Sequence, residues 1–338
     1  MIFKYIPVIR YFQTNSPVNI VLLLIYAFLL KLYSFMHPHI PVARDTDGFV
    51  FHKLLAFLEP AGKSAPVIYP LIVLVLVLSQ AIIFSNYINR QKLLPKPNFL
   101  PAMAYIFITA LFPEWWQLSS TLIINSLLVW VWASLSDLFN NSGPKALVFN
   151  TGLAVGLASF LYFPAIGFTV LIFCALIIMR PFRLSEWLIA VLGVLTPYYF
   201  LFAYLFLIKD WNPLTYLPSV SVSLPQFRQD IRAWVAIILM IIPFLISGFY
   251  IQGNMLRMLI QARKSWSLML IYLIITLLIP FINPAAGFEY WILCALPFAA
   301  FHAYTYFYAG KKWIPIVLHW LFVAFIVALN VWLPVTKG

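Results

Sequence analysis

The residues best suited to chemistry in this chain are carboxylates and bases that follow its first long apolar run. The segment His37-Pro-His-Ile-Pro-Val-Ala-Arg44-Asp45-Thr46-Asp47-Gly48 continues into Phe-Val-Phe-His52-Lys53. A carboxylate at an apolar surface has its charged form disfavoured, so its pKa rises and it can accept a proton from a hydroxyl group. Asp45 and Asp47 are therefore candidate general bases. The Asp-x-Asp spacing also offers the hard oxygen donors that a divalent cation takes. The competing structural reading is a helix cap and a turn residue, since aspartate suits both.

Bases that would face an anionic group lie in two places. Arg44, His52 and Lys53 flank the aspartates, and Arg228 and Arg232 recur in Leu-Pro225-Gln-Phe-Arg228-Gln-Asp230-Ile-Arg232. Spacing of i,i+4 puts Arg228 and Arg232 on one helix face. Arginine suits phosphate because its planar fork donates two parallel hydrogen bonds. The same residues also suit anchoring at a membrane interface, with stems in lipid and heads in water. Glu114, in Phe112-Pro113-Glu114-Trp115-Trp116-Gln117, and Glu289, before Tyr290, set a carboxylate among aromatic rings, a combination that suits carbohydrate. Their structural readings are an interfacial aromatic belt and a charge that complements a helix start.

His37 and His39 are offset by two residues and cannot share a helical face, so they read as interfacial anchors. His302 and His319, in apolar runs, read as a hydrogen-bonded packing pair. Cys174 and Cys294, also in apolar runs, read as small buried hydrophobes. There is no zinc-ligand spacing, phosphate-cradling glycine loop or Ser-His-Asp signature. No resident metal or cofactor is expected beyond a divalent cation on the two aspartates.

The elements that must hold these groups follow from composition. Of 338 residues, 64% are hydrophobic and 9% charged, whereas a soluble domain carries about a quarter charged residues. That excludes an ordinary soluble enzyme, a disordered chain and a disulfide-stapled domain. The expected fold class is all-α: a polytopic helical membrane protein forming one domain over residues 1–338. Eleven apolar runs read as spans, at about 17–36, 67–86, 98–113, 118–136, 146–162, 165–179, 187–208, 233–252, 266–282, 290–309 and 314–333. The first run lacks a cleavage site and reads as an uncleaved span. The run from Lys145 to Arg180 divides at Tyr162-Phe163-Pro164, which puts its basic ends on one side.

With the N-terminus inside, inner segments hold 13 of the 21 bases and two of the nine acids. This excess fits an N-in, C-out topology. The other seven acids lie outside, in loops led by residues 37–66 and 209–232. Insertion rules do not explain acids, so their outer clustering suggests chemistry or packing there. Residues about 47–58 read as an amphipathic helix on the outer leaflet, with Val50, Leu54, Phe57 and Leu58 on one face, capped by Asp45, Thr46 or Asp47 and ended by Pro60 and Gly62. The net charge of +12 is scattered between apolar runs and does not form a nucleic-acid stripe.

This layout resembles the GT-C superfamily of integral-membrane glycosyltransferases, which have many spans, acidic residues in the first outer loop and interfacial helices there. Asp45 and Asp47 match the acidic position. Asn150-Thr-Gly-Leu-Ala-Val-Gly-Leu-Ala-Ser-Phe-Leu-Tyr-Phe-Pro164 is similar to a small-residue span of those enzymes, and Glu289-Tyr-Trp-Ile-Leu-Cys-Ala-Leu-Pro297-Phe to a late span. Where an Arg-Tyr is common, this chain has Glu289-Tyr290. The whole chain also resembles an uncharacterised family of bacterial membrane proteins.

The superfamily resemblance implies sugar transfer from a polyprenyl-phosphate carrier on the outer face of the bacterial inner membrane. Membrane lipids and the lipid-linked sugar are then the expected partners, with Arg44, His52, Lys53, Arg228, Arg232, Glu114 and Glu289 binding substrate. Two other classes fit the composition: a non-catalytic subunit or assembly factor of an envelope complex, and a lipid or glycan transporter. No acid sits at the middle of an expected span, which disfavours ion-coupled transport.

Overall fold

The computed structural model describes residues 8–208, 216, 220–224, 230–284, 287–311 and 313–335. The described residues form α-helices, short 3-10 turns and connecting segments, without a β-strand. In hydrocarbon every backbone N–H and C=O must be satisfied within its own segment, and the long apolar runs accordingly become helices.

A helix occupies each of the eleven apolar runs. After α1 (Ile9–Phe12), the first run is α2 (Val18–Leu30) and α3 (Leu32–Met36), broken at the buried Lys31. The first long loop contributes α4 (Phe49–Ser64). There follow α5 (Ile68–Arg90), α6 (Leu100–Ile108), α7 (Ser120–Asp137), α8 (Lys145–Ser159), α9 (Thr169–Met179) and α10 (Leu184–Leu207). The remainder is α11 (Ile231–Asn254), α12 (Ile260–Leu278), α13 (Ala295–Tyr308) and α14 (Trp313–Val335).

Among the described residues, six helical segments are long and apolar enough to cross a membrane: Ile68–Arg90, Ser120–Asn140, Leu184–Leu207, Ile231–Arg257, Ile260–Phe281 and Trp313–Val331. The chain is a polytopic helical membrane protein. α6 is only 9 residues, about 14 Å at 1.5 Å per residue. Every residue of α6 is buried, as is α13 from Ala295 to Tyr306. These two helices form the interior of the bundle, where protein replaces lipid and hydrocarbon thickness no longer sets helix length.

Small residues and buried polar groups fix the crossings. A Cβ on Gly152 of α8 would lie 2.6 Å from the carbonyl oxygen of Ala190 in α10, so only glycine permits that approach. In α11, Pro243 interrupts the ladder, and α13 supplies donors there. His302 Nε2 donates to the Met240 carbonyl at 2.8 Å, and the Thr305 hydroxyl to that of Pro243 at 2.6 Å. His319 instead meets the Tyr26 hydroxyl at 3.2 Å. The two histidines therefore serve separate crossings and do not form the expected pair.

The bundle has two polar ends. At one, Arg90 pairs with Asp137, which also accepts from the Gln91 amide at 2.6 Å. Gln261 donates to Gln91 at 2.7 Å and accepts from Asn140 at 2.8 Å. Arg180 bonds to Glu186 and to two carbonyls beyond α7. Asp137 is a junction between α5 and α7. The other end carries Asp47.

Two local expectations change. Instead of residues 47–58, α4 spans Phe49–Ser64, with Pro60 inside it and Gly48 as a cap without a side-chain bond. Its buried face is Phe51, Leu55 and Gly62, while Phe57 is 81% exposed. The bundle, rather than the periodicity alone, selects which side of α4 is covered. Trp115 and Trp116, expected in an exposed belt, are buried. Their indole N–H groups donate to the carbonyls of Phe288 at 2.7 Å and Ala110 at 3.0 Å.

Candidate functional site

Asp47 occupies a seat built from three parts of the chain. The residues before α4 run against the turn after α8, where Asp47 forms an isolated bridge with Tyr162. Gly48 N–H donates to the Leu161 carbonyl at 2.7 Å, and Val50 N–H to that of Phe160 at 3.2 Å. A Cβ on Gly48 would fall 2.1 Å from the Phe160 carbonyl oxygen, so the sequence position after Asp47 must be glycine. The third wall is the start of α7.

Asp47 is 8% exposed. Oδ1 accepts from the Ser120 hydroxyl at 2.5 Å and Oδ2 from the Arg44 N–H at 3.0 Å. Burial raises its pKa above the usual carboxylate range, opposed by those two hydrogen bonds and the nearby charges of His52 and Arg44. It caps nothing. Asp45, two residues earlier, is exposed at a turn and lines no described cavity. The aspartates therefore do not converge. Among the described residues no three His, Cys, Asp or Glu side chains come together as a metal site.

Two cavities meet at the Arg44–Glu289 ion pair. The first, about 340 Å³, is lined by Arg44, Asp47, Glu114, Gln117, Glu289 and Tyr290, among others. The second, about 390 Å³, shares Arg44, Glu114 and Glu289 and adds Asp230 and Arg232. Burial raises the pKa of Glu289, and the charge of Glu114 adds to this, while Arg44 opposes it. Arg232 clasps Asp230 with Nε at 2.8 Å and 3.0 Å from the two oxygens, which holds the Asp230 pKa down.

Aromatic hydroxyls complete the frame. Thr46 and Tyr290 share a hydrogen bond, and Tyr290 stacks on Tyr162 with ring centroids 4.4 Å apart. Phe112 and Phe288, centroids 5.1 Å apart, stand between the second cavity and an apolar slot of about 450 Å³ beside α11 and α12.

The structure thus gathers Arg44, Asp47, Glu114, Glu289 and Arg232 around the two cavities from four separate stretches of sequence. It leaves out His52 and Lys53, which are exposed on α4 and line neither cavity. His52 Nε2 donates to the Arg44 carbonyl at 3.1 Å, and Lys53 Nζ lies 6.0 Å from the Phe49 ring centre. Arg228 lies outside the described residues. Ser120 falls in no motif, and Tyr162 and Tyr290, though they lie in the two stretches similar to the superfamily, were given no role there, since their roles arise only when distant segments meet.

A many-helix membrane bundle with a buried carboxylate at the wall of an end cavity is the class that this fold and site define. Residues 49–335 match a family of unknown function, DUF6427, and the chain belongs to that family. No curated protein and no solved structure matches it.

Proposed function

We propose that this protein transfers a sugar from a polyprenyl-phosphate carrier to an acceptor hydroxyl, working at the outer face of the bacterial inner membrane. The observation that carries this reading is Asp47, a buried carboxylate of raised pKa at the wall of a cavity of about 340 Å³. In this mechanism Asp47 takes the acceptor's proton and the freed oxygen forms a bond to the anomeric carbon. The bond from that carbon to the phosphate oxygen breaks, and its electron pair leaves with the lipid phosphate. A single displacement inverts the anomeric centre. Arg44, which fronts both cavities, meets the leaving charge, exchanging Glu289 for phosphate.

The accompanying topology is eleven crossings, N-in and C-out. The inner excess of bases supports it, as does the presence of a helix in each apolar run. The cavities then open on the outer side.

Membranes bearing the full chain, given a radiolabelled polyprenyl-phosphate hexose, test the reading. Asp47→Asn should lower transfer at least about 100-fold, the usual contribution of a general base, at unchanged membrane levels. Asp45→Asn should leave transfer within about twofold, because an exposed aspartate outside the cavities contributes neither base nor binding. Full transfer by Asp47→Asn removes the mechanism.

A further inference from the structure

The apolar slot and the second cavity adjoin, with Phe112 and Phe288 lining both. Ile237, Ile241 and Phe244 of α11 and Leu270, Leu273 and Ile274 of α12 line the slot. Ile241, Leu245, Leu270 and Ile274 are exposed, so the slot faces the lipid side of the bundle. Its other end meets the second cavity at Phe112 and Phe288. A molecule with its chain in the slot and its head past these two rings would meet Arg44, Arg232, Glu114, Asp230 and Glu289.

The charges of that head site are specific. Arg44 pairs with Glu289 and Arg232 with Asp230, while Glu114 has no ion-pair partner among the described residues. A headgroup with phosphate alone would add negative charge beside three carboxylates. One with a cation alone would offer no acceptor to the guanidinium N–H groups that Glu289 and Asp230 do not engage. A head carrying both signs complements the site.

We propose that the slot and second cavity hold an amine-bearing phospholipid of the phosphoethanolamine type. Its chains occupy the slot, its phosphate meets Arg232 and its ammonium meets Glu114. The seat shares Arg44, Glu114 and Glu289 with the sugar-transfer cavity, but it does not require Asp47 to act as a base.

Native mass spectrometry of the full chain in detergent tests the assignment with three probes: phosphatidylethanolamine, its N-acetylated form and phosphatidylglycerol. The expected result is retention of phosphatidylethanolamine at least about tenfold above the other two, the effect of one charge-assisted contact. Glu114→Gln should abolish that preference, and Leu273→Trp, which fills the slot, should remove the adduct. Leu270→Phe is a milder filling that serves if Leu273→Trp fails to fold, as judged by its melting temperature. Equal retention of the three lipids, no retention of any, or an unchanged preference in Glu114→Gln overturns the proposal. Asp47→Asn should keep the lipid, so the two readings fail separately.

Discussion

Ser120 and Asp47, 73 residues apart in sequence, are joined by a hydrogen bond of 2.5 Å from the serine hydroxyl to Oδ1. This bond ties the first long loop to the start of α7 and stabilises the ionised form of a carboxylate that burial opposes. Ser120→Ala should therefore raise the Asp47 pKa further. Any activity that needs Asp47 as a base would have its acidic limb displaced to higher pH. The variant should also lose about 1–3 kcal/mol of stability, the cost of stranding a buried acceptor. A pH–rate profile and a thermal melt check the two effects, and an unmoved limb would show that Asp47 is not the titrating base.

The pH dependence of stability carries its own sign. The folded-state pKa of Asp47 lies above the unfolded value of 3.8. Its linkage contribution is thus fully present below the unfolded pKa and is lost as pH rises through the folded pKa. Asp47→Asn cannot titrate. Relative to that variant, the wild type should be favoured at acid pH and lose ground as pH rises. Melting temperatures of the two proteins from pH 4 to 8 should show this trend, and parallel curves would contradict it.

Gly48→Ala tests the seat rather than the charge. The new methyl group would meet the backbone oxygen and carbon of Phe160 at 2.1 and 2.5 Å, and neither can swing away as a side chain could. Separation of the two strands of chain would cost at least about 2 kcal/mol, at the upper part of the range for overpacking. Asp47 should become accessible at the same time. A melting measurement and the Asp47-dependent pH profile of the variant report on the two consequences.

The fold was legible because apolar runs in a lipid solvent have few alternatives to helix. The split at Tyr162-Phe163-Pro164 followed from the charges of Lys145, Arg180 and Arg183, and the chain does turn there between α8 and α9. The short α6 was less legible, because complete burial inside the bundle is not encoded in local hydropathy. At the site, the sequence singled out Arg44, Asp47, Glu114 and Glu289, since charged residues are scarce enough here to be conspicuous. It could not separate Asp45 from Asp47, because the choice rests on the bridge from Asp47 to Tyr162. On α4 the periodicity pointed to Phe57, whereas the bundle buries Phe51 and leaves Phe57 exposed, because either ring gives the helix an apolar face.

The opposite end of the bundle yields the sharpest stability prediction. Arg180 and Glu186 have side chains 11% and 3% exposed and meet at 3.1 Å. Arg180 also donates to the carbonyls of Leu138 at 3.3 Å and Asn141 at 2.5 Å, so one guanidinium joins α10 to the end of α7. Lysine cannot reproduce these bonds, because a point ammonium lacks the planar fork. Glu186→Gln keeps the shape but strands the buried cation, with an expected loss of about 3–5 kcal/mol. Arg180→Lys should lose less, as its charge still meets Glu186 while the two carbonyls go short of donors. By contrast, Lys63 and Glu59 form an i,i+4 pair with both side chains exposed to solvent screening, and Glu59→Gln should leave the melting temperature essentially unchanged. Thermal melts of the three variants under one detergent condition establish the order. A Glu59→Gln loss equal to that of Glu186→Gln would mean that the Arg180 junction does not hold α7 and α10 together.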